Sequence, residues 1–406
     1  MSATFNVGNA AHAAFPALAE LIAPVGTEEF FADYYEKRHL IARRGDDART
    51  RLPLTLADLD QILSASSLRS TDLRVVADGQ ETPIAELAAA GDVNALELLY
   101  DRYRNGATIV FKFLNERWAP LRSLCQRLAT EFSARIQVNV YLTPPGSRGL
   151  VPHFDTHDVL VLQVSGTKDW RLYDSPYPLP VHGQSYAEFR PADGPGAPTE
   201  TFTLAPGDVL YMPRGCVHDA SSAEVASLHL TIGILPVLWT SVIADAVQQR
   251  SREDERFRRA LTPGFVDDAE LRAELADALT DLFGALARES RPVELIDRAA
   301  QTAENSRQPE LLGHLLDLES LGTVDHTTPL RRRDRVEYKL RAEGDRVHVD
   351  FHGKQITLPA YAGEELRFVL ETPGPFSVED IPGKLTVAGR SVLVKTLVRE
   401  GLLTIG

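Results

Sequence analysis

The chain has 406 residues, of which 44% are hydrophobic and 25% are charged. This is the composition of ordinary globular domains, and it excludes collagen, coiled coil and disorder as the main class. The 43 Lys and Arg residues against 57 Asp and Glu residues give a net charge of −14. Such a charge argues against a general nucleic-acid binder and favours a basic partner. Two cysteines, Cys125 and Cys216, argue against a disulfide framework and fit a reducing compartment.

The N-terminal residues contain no basic region followed by an apolar core, so no signal peptide is predicted. The most apolar stretch runs from Val225 to Trp239 and is interrupted by His229 and Pro236. It is too short to span a bilayer. We therefore expect a soluble cytoplasmic protein without membrane contact.

Hydrophobic periodicity predicts helices first and short strands afterwards. The helices cover residues 27–37, a segment starting near Thr55, and residues 119–132, and a short strand is expected directly after the first of them. The strands cover residues 135–142, 157–164, 169–173, 200–204, 208–212 and 227–235. Turn-forming sequences such as PPGSRG, SGTK and APGD separate them, which favours a jelly roll.

Residues 240–320 are predicted to be mostly helical. One face of an amphipathic helix is indicated by the spacing of Leu271, Leu275, Leu279, Leu282, Phe283 and Leu286. This face either packs on its own domain or forms a dimer interface, and the pattern leaves both open.

The last 80 residues are predicted to form a third unit. Strands are expected at 336–340 and 347–351, helices at 364–371, 377–381 and 390–399, and a final strand at 402–405. This order looks like a winged helix. From Val324 onward the chain carries 13 basic and 12 acidic residues, too balanced a charge for a typical DNA-reading domain. A structural or substrate-platform role is the alternative.

One set of residues has the spacing of an open metal site. His153 and Asp155 form an H-x-D motif, and His218 follows 65 residues later. Residues i and i+2 of a strand share a face, so both motif residues can point into a barrel. Two histidines and one carboxylate leave three positions free on Fe(II), enough for a bidentate cosubstrate and O2.

The H-x-D tripeptide by itself is weak evidence, because the chain contains a second example at His348, Val349 and Asp350. Only His352 follows closely, and the segment is predicted to be a hairpin, so we interpret it as surface. The first motif has more support, because Pro206-Gly207-Asp208 and Pro213-Arg214-Gly215 are turns that deliver a strand and then His218.

Several other residues lie near the motif, and some of them allow two interpretations. Lys168, inside a barrel, would need an anion such as the far carboxylate of a dicarboxylate cosubstrate, or it is an ordinary turn lysine. His229 and Thr231 share a strand face and either line the pocket or form a polar face. His157 is interpreted as a rim residue, and Cys216 as a small buried residue.

Five segments of the sequence together resemble those of a known family. FFADYYEKRHLIARRG, NVYLTPPGSRGLVPHFD, VLQVSGTKDWRLY, GDVLYMPRGCVH and SLHLTIG resemble the JmjC-type cupin family of ribosomal oxygenases, Fe(II)- and 2-oxoglutarate-dependent enzymes that hydroxylate ribosomal proteins. The resemblance implies that His153, Asp155 and His218 bind iron and that Lys168 binds the far carboxylate of 2-oxoglutarate. It also implies that Asn139, Tyr141 and Thr231 line the cosubstrate or substrate pocket.

The expected fold is therefore α+β, with a double-stranded β-helix (jelly roll or cupin) core preceded by helices. We predict a JmjC/cupin catalytic domain at 1–239, a helical dimerisation segment at 240–323 and a winged-helix-like domain at 324–406. The predicted enzyme is a 2-oxoglutarate-dependent dioxygenase that hydroxylates an arginine or histidine side chain of a basic ribosomal protein, works as a homodimer and binds no nucleic acid.

Two alternatives remain, besides an activity like that of the JmjC relatives that demethylate histone lysines, to which the likeness is less close. The same iron chemistry can act on a small molecule, a biosynthetic peptide or a tRNA base. Alternatively, the barrel is a non-catalytic cupin joined to a DNA-binding winged helix.

Overall fold

The computed structural model describes residues 16–45, 52–65, 69–77, 79–83, 91–306, 311–333, 336, 338–351 and 353–406. The chain divides into two compact units, residues 1–303 and 304–406, and each unit is described by itself. The three-part division at 239 and 323 stays a prediction. No helix in the described ranges is long and apolar enough to cross a membrane.

The first unit contains two antiparallel sheets. Its strands are β1 (Leu40–Ala42), β2 (Leu73–Ala77), β3 (Gln80–Glu81), β4 (Thr108–Phe111), β5 (Arg135–Thr143), β6 (Asp158–Ser165), β7 (Lys168–Tyr173), β8 (Glu200–Leu204), β9 (Val209–Met212), β10 (Val217–Ser222) and β11 (Ser227–Leu235). The larger sheet has the order β1-β9-β6-β11-β5-β4-β2-β3, and the smaller has the order β10-β7-β8.

The strand sequences explain this arrangement. β11 is buried along nearly its whole length because it lies between β6 and β5 and is covered on both faces, which suits its continuous apolar sequence. β7 instead alternates, with Lys168, Trp170 and Leu172 buried and the residues between them partly exposed. Its buried face therefore points toward the larger sheet.

Helices of the first unit precede and follow the sheets. They are α1 (Pro16–Ile22), α2 (Leu56–Ala65), α3 (Gly91–Arg104), α4 (Ala119–Phe132), α5 (Trp239–Glu253), α6 (Ala269–Glu289) and α7 (Pro292–Asn305). The predicted helix at 27–37 is shorter, because Thr27–Glu29 continues only as a π-helical turn, Phe30–Tyr34.

Two cores hold the first unit together. Leu121 and Leu128 of α4 share a core with Val138, Val140 and Ile232 of the larger sheet. Each such buried side chain contributes about 1.5–3 kcal/mol relative to exposure. A smaller core between the sheets is formed by Val159, Val161, Trp170, Leu172, Leu204, Leu210, Met212 and Ala220. Because its residues come from both sheets, this smaller core packs the two sheets against each other.

The second unit has its own core. Its helices are α8 (His314–Ser320), α9 (Gly363–Glu371) and α10 (Val387–Glu400), and its strands are β12 (Leu330–Arg332), β13 (Lys339–Glu343), β14 (Arg346–Phe351), β15 (Lys354–Pro359) and β16 (Leu403–Ile405). β13, β14 and β15 form one sheet, and β12 pairs with β16.

Two predictions about the second unit need correction. Residues 377–381 are not helical, because Ser377 and Asp380 close a turn in which the Asp380 carboxylate accepts from the Ser377 N–H at 2.7 Å. The strand predicted at 336–340 begins at Lys339 instead and continues to Glu343.

Candidate metal centre

His153, Asp155 and His218 lie together, as the sequence predicted. One ligand atom from each residue lies within 4.8 Å of the others. His153 and Asp155 belong to the segment before β6, and His218 is the second residue of β10. Among the described residues, no other group of three His, Cys, Asp or Glu side chains converges in this way.

Both imidazoles are oriented by a backbone carbonyl. Nδ1 of His153 lies 2.9 Å from the carbonyl oxygen of Val151, and Nδ1 of His218 lies 2.9 Å from that of Cys216. A carbonyl oxygen only accepts, so each Nδ1 carries the proton. Nε2 of each ring therefore keeps its lone pair for a metal ion, as is usual for histidine ligands.

The charge states also suit a divalent metal. Burial, together with the neighbouring His153, lowers the pKa of His218 to about 4, so this imidazole is neutral at pH 7. Burial alone would raise the pKa of Asp155, but His153, His157 and His218 outweigh burial and lower it. The imidazoles of His153 and His218 and the ionised carboxylate of Asp155 form the donor set of an open Fe(II) site, so these residues fit the implied metal.

A buried ion pair holds the two ligand-bearing segments together. Asp158 is fully buried, and its Oδ2 accepts from Nη1 of Arg214 at 3.0 Å. Its Oδ1 accepts from the Arg214 backbone N–H at 3.1 Å. The next residue, Gly215, donates its N–H to the Asp155 carbonyl at 3.0 Å. The turn that precedes His218 is therefore fastened to the segment that carries Asp155.

The metal-ligand cluster opens into a cavity between the two sheets, which together with the open solvent at its mouth holds about 550 Å³ of empty space. Lys168, at the start of β7, lines this cavity and is 2% exposed. Its Nζ donates to Oγ1 of Thr143 at 2.8 Å, and no described carboxylate is paired with it. Burial lowers its pKa to about 7. A buried ammonium without a counterion is costly, so this end of the cavity favours an anionic ligand.

Aromatic side chains form the middle of the cavity. The rings of Tyr141 and His229 stack with centroids 4.8 Å apart, and Trp170 meets His229 edge-on at 5.7 Å. Nδ1 of His229 and Nε1 of Trp170 are buried without a hydrogen-bond partner in the structure. Because orphaned buried polar atoms are costly, they indicate space for a polar ligand. The cavity thus fits a dicarboxylate such as 2-oxoglutarate.

The structure places the other predicted pocket residues as follows. Thr231 and Tyr141 line the cavity. Asn139 is the cross-strand neighbour of Thr231, and its Oδ1 accepts from the Phe113 N–H at 3.2 Å. Tyr141 is a neutral phenol, because burial and the charge of Asp155 raise its pKa.

Two further sequence interpretations can be compared with the structure. Burial raises the pKa of the Cys216 thiol to about 12, so it is not a thiolate ligand. His348 of the second H-x-D motif lies in β14, where its Nδ1 is 2.9 Å from Oγ1 of Thr357 on β15. The hairpin predicted there is therefore present.

Sequence reasoning missed several contributors. Trp170 is two residues after Lys168, so strand alternation would have placed it on the same buried face. Thr143, which accepts from Lys168, ends the strand that carries Asn139 and Tyr141. The Asp158–Arg214 pair had no signal in the sequence, because 56 residues separate its members.

Comparison with known proteins agrees with this geometry. Residues 111–241 match the model of the JmjC domain. Ribosomal oxygenase 2 of Bos taurus is 31% identical over 337 residues, which cover 78% of this chain and 71% of that protein. The bifunctional lysine-specific demethylase and histidyl-hydroxylase NO66 of Dictyostelium discoideum is 30% identical over 380 residues, covering 87% and 73% of the two chains.

A solved structure shares the fold. The crystal structure of Escherichia coli ribosomal oxygenase YcfD covers 94% of this chain and 98% of its own, with a TM-score of 0.50 and 18% identity. Fold and site together define a JmjC-type, 2-oxoglutarate-dependent dioxygenase. The sequence relatives narrow this class further, and the chain belongs to the ribosomal oxygenase family.

Proposed function

We propose that this protein hydroxylates an arginine or histidine side chain of a basic ribosomal protein, using Fe(II) and 2-oxoglutarate. The observation that carries the proposal is a His-Asp-His cluster in the same cavity as a buried lysine that lacks a counterion. The relatives named as ribosomal oxygenases support a ribosomal protein as the substrate.

His153, Asp155 and His218 would hold the Fe(II) ion through two Nε2 atoms and a carboxylate oxygen. Fe(II) with 2-oxoglutarate supplies the activation of O2 and the hydroxylation of a C–H bond, with succinate and CO2 as products. The protein's contribution is to keep three positions on the metal open and to hold the C–H bond next to it.

Lys168 would hold the far carboxylate of 2-oxoglutarate, because it is the buried cation of the cavity. Thr143 keeps its Nζ in place through the 2.8 Å hydrogen bond. Tyr141 and Thr231 would line the path between Lys168 and the metal ligands, and Asn139 would fix the strand beside Thr231. The buried rings of Trp170 and His229 would shield this path from bulk water.

The charge of the chain supports a basic substrate. The residues up to 323 carry a net charge of −15, and the remainder carries +1. A body of this charge attracts a cationic partner from a distance and repels nucleic acid. We propose that the protein is cytoplasmic, because its relatives named as ribosomal oxygenases favour a ribosomal protein as substrate.

We also propose a homodimer formed through α5, α6 and α7. Ile243, Phe283 and Val293 on these helices are 57%, 63% and 75% exposed. Large exposed apolar side chains so close in sequence are typical of a protein–protein interface. The tail from Val324 onward is proposed to be winged-helix-like with a structural role.

The proposed function is tested by intact mass measurement of every ribosomal protein from the native host, with and without this gene. Loss of about 16 Da, the mass of one oxygen atom, from a single basic protein on deletion would identify the substrate. Unchanged masses throughout, combined with 2-oxoglutarate turnover by the purified protein, would contradict a ribosomal substrate and favour a small molecule, another peptide or a tRNA base.

A further inference from the structure

An ion pair stands on the cavity side of the larger sheet, beyond the pocket residues described so far. Nε of Arg74 on β2 lies 2.6 Å from Oε2 of Glu81 on β3. The two side chains are 36% and 43% exposed. None of the roles assigned above uses either residue.

Strand register puts both side chains on the face that lines the cavity. Val76 lines the cavity, and Arg74 is two residues away on the same strand, hence on the same face. Glu81 is directly opposite Val76 in the β2–β3 pairing, and directly opposite residues also share a face.

The same strand register gives the distance between Arg74 of the ion pair and Tyr141, which lines the cavity. Arg74 is opposite Val110, and Val110 is opposite Tyr141, so Arg74 is two strands, or about 10 Å, from Tyr141. Tyr141 lines the same cavity as His153, Asp155 and His218. The pair is therefore within electrostatic range of the candidate iron site.

The turn between β2 and β3 also touches the metal-binding segment. A Cβ on Gly79 would lie 2.4 Å from Cγ1 of Val151, so the turn packs directly on that side chain. Val151 is the residue whose carbonyl accepts from Nδ1 of His153. The β2–β3 hairpin therefore packs on the segment that carries His153.

We propose that Glu81 is a specificity-determining residue that binds a cationic substrate side chain, with Arg74 as its partner while no substrate is bound. The inference rests on the proposed function and adds a residue that selects a cationic side chain. A half-exposed ion pair contributes little to stability, so a guanidinium or ammonium group of the substrate can take the place of Arg74. Glu81 then retains a cationic partner throughout.

The test uses the full chain loaded with Mn(II) and 2-oxoglutarate. Oxygen is excluded, so that no turnover takes place. The probes are acetyl-arginine methylamide and its neutral analogue acetyl-glutamine methylamide. Paramagnetic relaxation of the probe protons by Mn(II) reports binding near the metal. The wild-type protein should relax the arginine probe and not the glutamine probe.

Two variants separate substrate binding from a structural role, because both break the same ion pair. E81Q should weaken binding of the arginine probe at least about tenfold, the loss expected for a charged hydrogen bond. R74Q should strengthen it several-fold, because Glu81 is then free of its internal competitor. A merely structural ion pair predicts the same direction for both variants. D101N is the matched control, since Asp101 and Arg104 form an exposed ion pair on α3.

Three results would overturn the proposal: no relaxation of the arginine probe by the wild-type protein, E81Q equal to wild type, or R74Q weakened like E81Q. Relaxation of the 2-oxoglutarate protons is recorded in the same samples. If wild-type protein fails to relax 2-oxoglutarate, the proposed function itself fails, and the inference fails with it.

Discussion

His153 and His218 are joined by two backbone hydrogen bonds in addition to facing the same ligand cluster. The N–H of His153 donates to the carbonyl of His218 at 3.1 Å, and the N–H of His218 donates to the carbonyl of His153 at 2.8 Å. Their rings lie with centroids 4.5 Å apart. The distance between the two imidazoles is therefore fixed by the backbone, which prepares the site for a metal ion before one binds.

His153→Ala is expected to abolish succinate production from 2-oxoglutarate, by at least about 100-fold, because removing a direct ligand costs more than disturbing its support. Bound iron, measured by elemental analysis after desalting, should fall in parallel. His348→Ala in the second H-x-D motif is the control and should leave both unchanged. Normal turnover by the His153 variant would show that His153 is not a metal ligand.

Lys168→Met is expected to change two properties in opposite directions. The affinity for 2-oxoglutarate should fall at least about 30-fold, because a buried charge partner of the carboxylate is lost. The unliganded protein should become more stable, since an apolar side chain of similar length replaces a buried ammonium without a counterion. Calorimetric titration and thermal unfolding measure the two effects, and a destabilised variant with unchanged affinity would contradict both roles.

The affinity for 2-oxoglutarate should decrease as the pH rises above about 7. The pKa of Lys168 is lowered by burial to about 7, so at higher pH the lysine is neutral and must take up a proton to bind the dianion. The dissociation constant should then rise about tenfold for each pH unit until the pKa of the liganded state is reached.

The same shift predicts how the stability of the unliganded protein depends on pH. Between about pH 7 and the unfolded pKa near 10.4, the unfolded chain binds more protons at Lys168, so this group makes stability rise with pH.

Titrations of 2-oxoglutarate in buffers of different ionisation enthalpy test the predicted pH dependence of the affinity, and they should show uptake of a proton at pH 8. An affinity that is constant from pH 6 to 9 would be incompatible with Lys168 as the carboxylate-binding residue.

Arg214→Ala is expected to lower the free energy of unfolding by about 3–5 kcal/mol, because it leaves the fully buried Asp158 without its cation. Urea unfolding measures the loss. Arg259→Ala is the control, since Arg259 and Glu255 form an exposed pair whose removal should cost less than about 1 kcal/mol. Equal losses for the two variants would mean that Arg214 has no special role in holding the segments that carry the metal ligands.

Phe283→Asp tests the proposed homodimer. The ring is 63% exposed on α6, and a carboxylate buried at the centre of an interface is strongly unfavourable. The molar mass from sedimentation equilibrium should fall to that of one chain, 44.7 kDa, while the far-UV circular dichroism stays the same. A wild-type protein that already sediments as a single chain would rule the interface out.

Much of the barrel could be predicted because its strands alternate or are uniformly apolar. The predicted strand 200–204 coincides with β8, and 227–235 coincides with β11. β10 was missed, since VHDASS contains charged and small residues, and it is buried only because β7 pairs with it. The short strand β3 was also missed, because its pairing with β2, rather than its own sequence, defines it. The short strand expected after the first helix corresponds to β1.

The sequence by itself determined the chemistry of this protein: an H-x-D motif, a distant histidine behind a proline-glycine turn, and a lysine directly before a predicted strand. These signals are local, since residue type and strand periodicity are properties of neighbouring positions. Only the tertiary structure decided that Lys168 has no described carboxylate partner, that Asp158 and Arg214 fasten the two segments that carry the ligands, and that Arg74 and Glu81 face the cavity. Ion pairing, desolvation and strand register depend on which distant segments become neighbours. The packing of the two sheets determines which segments do so.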